Sequence, residues 1–364
     1  MTAAKLICGI ELALQHIDSG ARKQRNIEIM KRYYGFDGNG GTSMEEAGSQ
    51  HSLTRESVRQ ITNRIASAFP SALPLVPEIR EAVKLIKAIM PCAAEDAQIK
   101  LSGEGLIPES FMIEGVINAA KCFGLISSEI DIVKLNGVRF VVSEKHLDLP
   151  RIIHSKAIKG ISHNGAVSIT ALSKQIDVGT VRSRLQFVNR IVESMEGVTW
   201  VDDHEWFYFD GRGRNRLISR LNKIFSVLND VPVASLRKGI ERSWSKNMKK
   251  ETELLPCGKL IELIETLEGF TVTASGIISR ENASQHDEEA KPFELAIAEF
   301  INCASNKIAK EKEIEDSIVM TVQDKYNFSM ALNYSPLFMK RERPAGAPEG
   351  QYFRGQYVLI GKMR

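Results

Sequence analysis

The string Thr54-Arg55-Glu56-Ser57-Val58-Arg59-Gln60-Ile61 holds the residues best suited to chemistry in this chain, and that chemistry is recognition. Arginine donates two parallel hydrogen bonds to guanine, glutamate accepts from the amino group of cytosine, and glutamine pairs with adenine through both ends of its amide. The Thr54 hydroxyl is placed to cap a helix start. Behind it Val58, Ile61 and Ile65 recur at spacings of three and four, so they share one buried face. Arg55, Glu56, Arg59 and Gln60 then point toward solvent or nucleic acid. The plainer alternative is an amphipathic helix whose charged face is simply hydrated.

The residues upstream must position that helix. Ser43 and Glu46 form a Ser-x-x-Glu capping box that opens a short helix, Met44–Gln50, and Ser52-Leu53 makes the turn into the second helix. A segment from Ile7 to Ile17, carrying Leu12, Ala13 and Leu14, predicts a helix packed beneath. Residues 22–65 therefore read as helix, Gly-rich loop, short helix, turn and helix.

This stretch resembles the helix-turn-helix of region 4 in bacterial sigma factors, the part that reads the promoter −35 element. The resemblance spans about residues 5–68 and rests on Tyr33-Tyr34-Gly35-Phe36, preceded by Arg32, and on Thr54 to Ile61. It implies that Arg55, Glu56, Arg59 and Gln60 contact bases and that the module touches the β-flap of RNA polymerase. His51-Ser52-Leu53 stands where the family has Leu-Gly-Val, so no glycine eases the turn. Ser57 replaces a common Arg and removes a phosphate contact, and Ala47 replaces a larger aliphatic residue and thins the local core. Region 4 here opens the chain, and no aromatic-rich segment for capturing an unwound strand follows it. A complete promoter-melting sigma factor is therefore not expected.

Past Pro70–Pro77, which reads as a Pro-punctuated linker within residues 69–77, the chain repeats itself. Val167–Ile176 aligns with Val231–Ile240 at an offset of 64, and Glu193–Trp200 aligns with Glu265–Val272 at an offset of 72, with the extra residues around Trp244–Glu253. The repeated pattern is three helices and a hairpin, which resembles the winged-helix superfold in general. It assigns unit 1 to residues 78–148, unit 2 to 150–211, unit 3 to 212–284 and a possible unit 4 to 289–364. In unit 1, Glu78–Met90, Glu95–Leu101 and Phe111–Phe123 are the expected helices and Asn136-Gly137 the hairpin turn. The expected fold class is mainly α, a helix-turn-helix followed by an array of winged-helix-like units with short β-hairpins.

Within the array, Arg182, Arg184 and Arg190 lie off the apolar stripe of the predicted helix Thr180–Glu196, as does Asn189. Arg212, Arg214, Arg216, Arg220 and Lys223 open the third unit without a nearby acid, and Arg237, Lys238, Arg242, Lys246, Lys249 and Lys250 follow. The first set is a candidate second reading face or a set of phosphate contacts, and the basic run a set of phosphate contacts, which position a protein on DNA without specifying sequence. Solvated helix faces and protein-binding wings are the competing reading.

The 364 residues carry a net charge of +3, too little to prove nucleic-acid binding by itself. Cys8, Cys92, Cys122, Cys257 and Cys303 are widely spaced and read as small buried apolar residues in a reducing cytosol, not as a zinc or disulfide framework. There is no phosphate-binding Gly-x-x-x-x-Gly-Lys-Ser/Thr loop, no His-Glu-x-x-His and no apolar run long enough to span a membrane. No catalytic residue, metal or cofactor is expected, and the location is expected to be cytoplasmic. The expected function is sequence-specific binding of double-stranded DNA in transcription regulation, with RNA polymerase or a protein held by the winged units as further partners. Two rivals are a DNA-sensing or targeting subunit of a larger defence or mobile-element complex, and a winged-helix protein-interaction scaffold.

Overall fold

The computed structural model describes residues 5–209, 215–244, 254–281, 290–319, 321–341 and 355–364. It is mainly helical, with small antiparallel sheets of two or three strands. The chain begins with α1 (Lys5–Ile17), α2 (Lys23–Tyr34), α3 (Met44–Ser49) and α4 (Arg55–Ala66), followed by a 3₁₀ helix, Pro70–Leu75. Among the described residues one element order then occurs four times: a helix, a two-residue strand, two helices and two strands.

The first passage is α5 (Glu78–Ile89), β1 (Cys92–Ala93), α6 (Ala94–Gly103), α7 (Ile113–Cys122), β2 (Ile130–Leu135) and β3 (Val138–Ser143). The second is α8 (Leu149–Asn164), β4 (Val167–Ser168), α9 (Ile169–Ser173), α10 (Val181–Glu193), β5 (Val198–Trp200) and β6 (Trp206–Phe209). The third is α11 (Arg216–Val227), an additional strand β7 (Leu228–Asn229), β8 (Val231–Pro232), α12 (Val233–Trp244), α13 (Cys257–Glu265), β9 (Phe270–Val272) and β10 (Ile277–Arg280). The fourth is α14 (Pro292–Cys303), β11 (Ala309–Lys310), α15 (Glu311–Ile318), α16 (Val322–Tyr334), β12 (Phe338–Lys340) and β13 (Gln356–Leu359), after which β14 (Lys362–Met363) closes the chain. Each three-stranded sheet puts the last strand of its passage in the middle: β1-β3-β2, β4-β6-β5, β8-β10-β9 and β11-β13-β12. The two repeat alignments fall on equivalent elements, since Val167 and Val231 both open the short strand and Trp200 and Val272 both end the first hairpin strand.

The chain forms two compact units, one of Met1–Lys156 with Leu172–Glu196 and one of Ala157–Ala171 with Gly197–Arg364. In the first, a single apolar cluster joins Leu6, Ile10 and Leu14 of α1 to Ile65 of α4, Ile79 and Ile86 of α5, Val116 of α7 and Val141 of β3. Phe69 sits at its middle, with Phe36 at 6.1 Å and Phe123 at 5.1 Å between ring centres, both edge to face. The stretch expected to be a linker is part of this core: Phe69, Ala72 and Val76 are buried, and the 3₁₀ helix packs on α1. Apolar side chains three or four residues apart give such a tight helix one buried edge, which outweighs the prolines as a local signal. Asn136 (φ 48°) and Gly137 (φ 83°) both take the left-handed region, as a two-residue hairpin turn requires. Leu12, placed by the sequence in the supporting helix, is exposed, while Leu6, Ile10, Ala13 and Leu14 face inward.

In the second unit, Leu221, Ile224 and Phe225 of α11, Leu236 and Ile240 of α12, Leu260 and Ile264 of α13 and Ile297 of α14 are buried. β14 pairs with β7, setting Lys362 opposite Asn229 and Met363 opposite Leu228. No helix among the described residues is long and apolar enough to cross a membrane.

Candidate nucleic-acid interface

α3 and α4 stand on a small core of their own, formed by Ile29 of α2, Ala47 of α3 and Val58 of α4 and flanked by Tyr33, Met44, Leu53 and Ile61. Both helix starts are capped as the residue types predict. The Ser43 hydroxyl accepts from the Glu46 amide at 3.2 Å while the Glu46 carboxylate accepts from the Ser43 amide at 3.1 Å, and Thr54 Oγ1 accepts from the Ser57 amide at 3.3 Å. Gly48 lets the two helices close up: a Cβ there would lie 2.7 Å from Val58 Cγ2 and 2.9 Å from the Leu53 carbonyl oxygen. In the turn, the conformation a glycine would favour is carried by Ser52, at φ 52°.

Arg55, Glu56, Arg59 and Gln60 are all exposed along α4, and Thr54 is exposed at its cap. They are not independent of one another. Arg59 donates to Glu56 through Nε at 2.8 Å and through Nη2 at 2.7 Å, and Gln60 Nε2 donates to the same carboxylate at 3.2 Å. Those hydrogen bonds, Arg59 first, hold the Glu56 carboxyl down at about 2 and raise the Arg59 guanidinium above its ordinary range. Arg55 approaches Glu45 of α3 at 3.5 Å. The exposed face of α4 therefore carries charge already arranged in pairs.

The array residues are placed differently. Lys223 is 5 % exposed and forms a 3.0 Å ion pair with Glu294, itself 4 % exposed, so it is a buried structural charge out of reach of a phosphate. The sequence placed it in a basic run because its acid lies 71 residues away. Arg184 donates to the Ile176 carbonyl at 2.7 Å, and Arg190 is held by Asp96 at 2.7 Å. Both guanidiniums are engaged within the first unit, although Arg190, like Arg182, is exposed. Arg216 and Arg220 are half-buried on α11. Arg237 donates to the Leu255 carbonyl and Arg242 to the carbonyls of Phe338 and Leu332, so the second half of the basic stretch also serves packing. Arg212, Arg214, Lys246, Lys249 and Lys250 lie outside the described residues.

One feature beside α4 is missing from the sequence-based expectations. Arg22 and Arg25 at the start of α2 and Arg64 at the end of α4 line a groove of about 560 Å³ together with Ser57 and Gln60. Its floor holds Asp18, which accepts from Asn26 Nδ2 at 2.7 Å and lies 3.5 Å from Arg64. The i, i+3 spacing of Arg22 and Arg25, and Arg64 one turn beyond Gln60, are the signals that mark it. The cysteines are all free, but Cys8 and Cys303 are exposed, contrary to their reading as buried apolar residues. Burial pushes the thiols of Cys92 and Cys122 up to about 12. Among the described residues no three His, Cys, Asp or Glu side chains come together as a metal site.

Comparison with known proteins adds no relative: no family model matches the chain, nor does any curated protein or solved structure.

Proposed function

We propose that this chain is a sequence-specific DNA-binding protein of transcription regulation, with α4 as the helix that enters a major groove. The observation that carries the reading is the presentation of Arg55, Glu56, Arg59 and Gln60 together on one exposed helix face, capped by Thr54 and braced by α3. Recognition helices dock in this manner, with residues near their N-terminus on base edges. The groove lined by Arg22, Arg25 and Arg64 supplies cations alongside that face.

The four helix–strand–helix–helix–hairpin passages, each with its last strand central, support a winged-helix reading of the array. Because Lys223, Arg237 and Arg242 are engaged in internal contacts, we assign the array to packing and partner binding and the reading of bases to α4. The sigma-like resemblance extends the proposal to the β-flap of RNA polymerase, and DNA as ligand implies a cytoplasmic location. The test is selection from randomised duplexes with the full chain, followed by titration across salt concentrations. One enriched short site, with affinity falling linearly in log salt, supports the proposal. Equal affinity for selected and unrelated duplexes refutes it.

A further inference from the structure

Each of the four reading side chains has a base it suits, and the simplest assignment gives Glu56 a cytosine of its own. The hydrogen bonds on α4 argue for a different division of labour. A carboxylate has two oxygens, and in Glu56 both are engaged: Oε2 by Arg59 Nε, and Oε1 by Arg59 Nη2 and Gln60 Nε2. The guanidinium has two edges, each presenting two parallel N–H groups. The Nε–Nη2 edge of Arg59 is taken up by Glu56. The Nη1–Nη2 edge has no protein acceptor among the described residues, and the side chain is 53 % exposed. That open edge is the one with the spacing of guanine O6 and N7.

We infer that Glu56 is a positioning residue for Arg59, holding the guanidinium edge-on to a guanine, and that it reads no base of its own. The inference rests on the DNA-reading role of α4 and deepens it. Two consequences separate it from the simpler assignment. A long arginine side chain loses conformational freedom when it binds, and a pre-formed fork removes that cost in advance. The paired charges also cancel, so Arg59 contributes little to non-specific attraction toward phosphates and mainly discriminates between bases.

The experiment compares Arg59→Ala, Glu56→Ala, Glu56→Gln and the Glu56→Ala/Arg59→Ala double variant in the full chain, on a library of duplexes carrying every single-base change of the selected site. Arg59→Ala is expected to reduce discrimination at one guanine by about tenfold or more, the scale of a bidentate contact. Glu56→Ala is expected to reduce it at that same base pair by about two- to tenfold, the cost of ordering a free arginine. The double variant should lose no more there than Arg59→Ala alone. Glu56→Ala and Glu56→Gln should both bind unrelated duplex more tightly and with a steeper salt dependence, because an uncompensated cation has been released. A Glu56 whose only role was to stabilise the helix would weaken every duplex alike when replaced. Loss of preference at a different base pair in Glu56→Ala, or an unchanged preference at the Arg59 position, overturns the inference while leaving DNA reading by α4 intact. A wild-type chain that selects no site overturns both.

Discussion

Replacing Lys223 separates a buried structural charge from a DNA contact. Its ammonium lies 3.0 Å from Glu294 with both side chains 6 % exposed. At that distance and an effective dielectric near 20, the attraction amounts to about 5 kcal/mol. Desolvation of both charges offsets most of it, so the pair as a whole contributes little net stability. Removing one member is another matter, because the survivor stays buried without its counter-charge, at about 3–5 kcal/mol. Glu294 keeps the Lys291 amide at 2.8 Å and a bond from Ser335 when Lys223 is lost. Lys223→Ala should therefore cost about 3 kcal/mol and Glu294→Ala, which leaves the ammonium stranded, nearer to about 5 kcal/mol. Lys223→Met with Glu294→Leu should recover most of the loss, since an apolar pair of similar volume replaces both charges. Trp200, Trp206 and Trp244 all belong to the second unit, so tryptophan fluorescence during urea unfolding reports on that unit alone. A loss below about 1 kcal/mol in Lys223→Ala, the scale of an exposed ion pair, would refute the buried-pair argument.

The same unit should weaken in acid. Burial pushes the Glu294 carboxyl up, but the Lys291 amide and the Lys223 ammonium outweigh it and leave the group below its ordinary range. Its stabilisation is complete above the unfolded value of about 4.3 and lost as pH falls through the folded one, which a pH series of the same urea titration will register. Gly48→Ala should cost about 1–3 kcal/mol by wedging α3 from α4, seen as faster amide exchange in both helices. Ser52→Gly should stabilise the same motif by about 0.5–1 kcal/mol, the relief of a left-handed side chain less the glycine's added unfolded freedom, measured from the same exchange rates. Arg242→Ala removes donors to Phe338 and Leu332 and a cation stacked 5.4 Å over Tyr357, and should lower second-unit stability by about 2–4 kcal/mol in the fluorescence assay.

Features decided within a few residues were readable from the sequence. The Ser43–Glu46 box, the Thr54 cap and the Asn136-Gly137 turn depend on neighbours three residues away or closer, and each appears in the structure where its residue types placed it. The two-residue strands β1, β4, β8 and β11 were not readable, because so short a segment has no periodicity and becomes a strand only by pairing with a hairpin formed later in the chain. The basic stretch misled for the same reason. The partners of Lys223 and Arg242 lie 71 and 96 residues away, beyond the reach of any local charge count. At the candidate site, exposure of the quartet followed from the helical period of Val58, Ile61 and Ile65, whereas the coupling of Glu56 to Arg59 depends on rotamers that spacing alone leaves open.

The apolar cluster from Leu6 to Val141 has a practical meaning for anyone moving the α1–α4 segment into another protein. A graft ending at residue 68 would sever the polypeptide just before Phe69, the ring wedged between Phe36 and Phe123, and would strip α1 of the 3₁₀ helix and the α5 it packs on. The piece to transplant is the whole first unit, Met1–Lys156 with Leu172–Glu196, because β1 and β3 pack in turn on α10, where Phe187 lies 5.4 Å from Phe140 between ring centres. α1 packs on the 3₁₀ helix, on α5 and on α2, so substitutions beyond residue 68 can loosen the base on which α2, α3 and α4 stand without touching those helices.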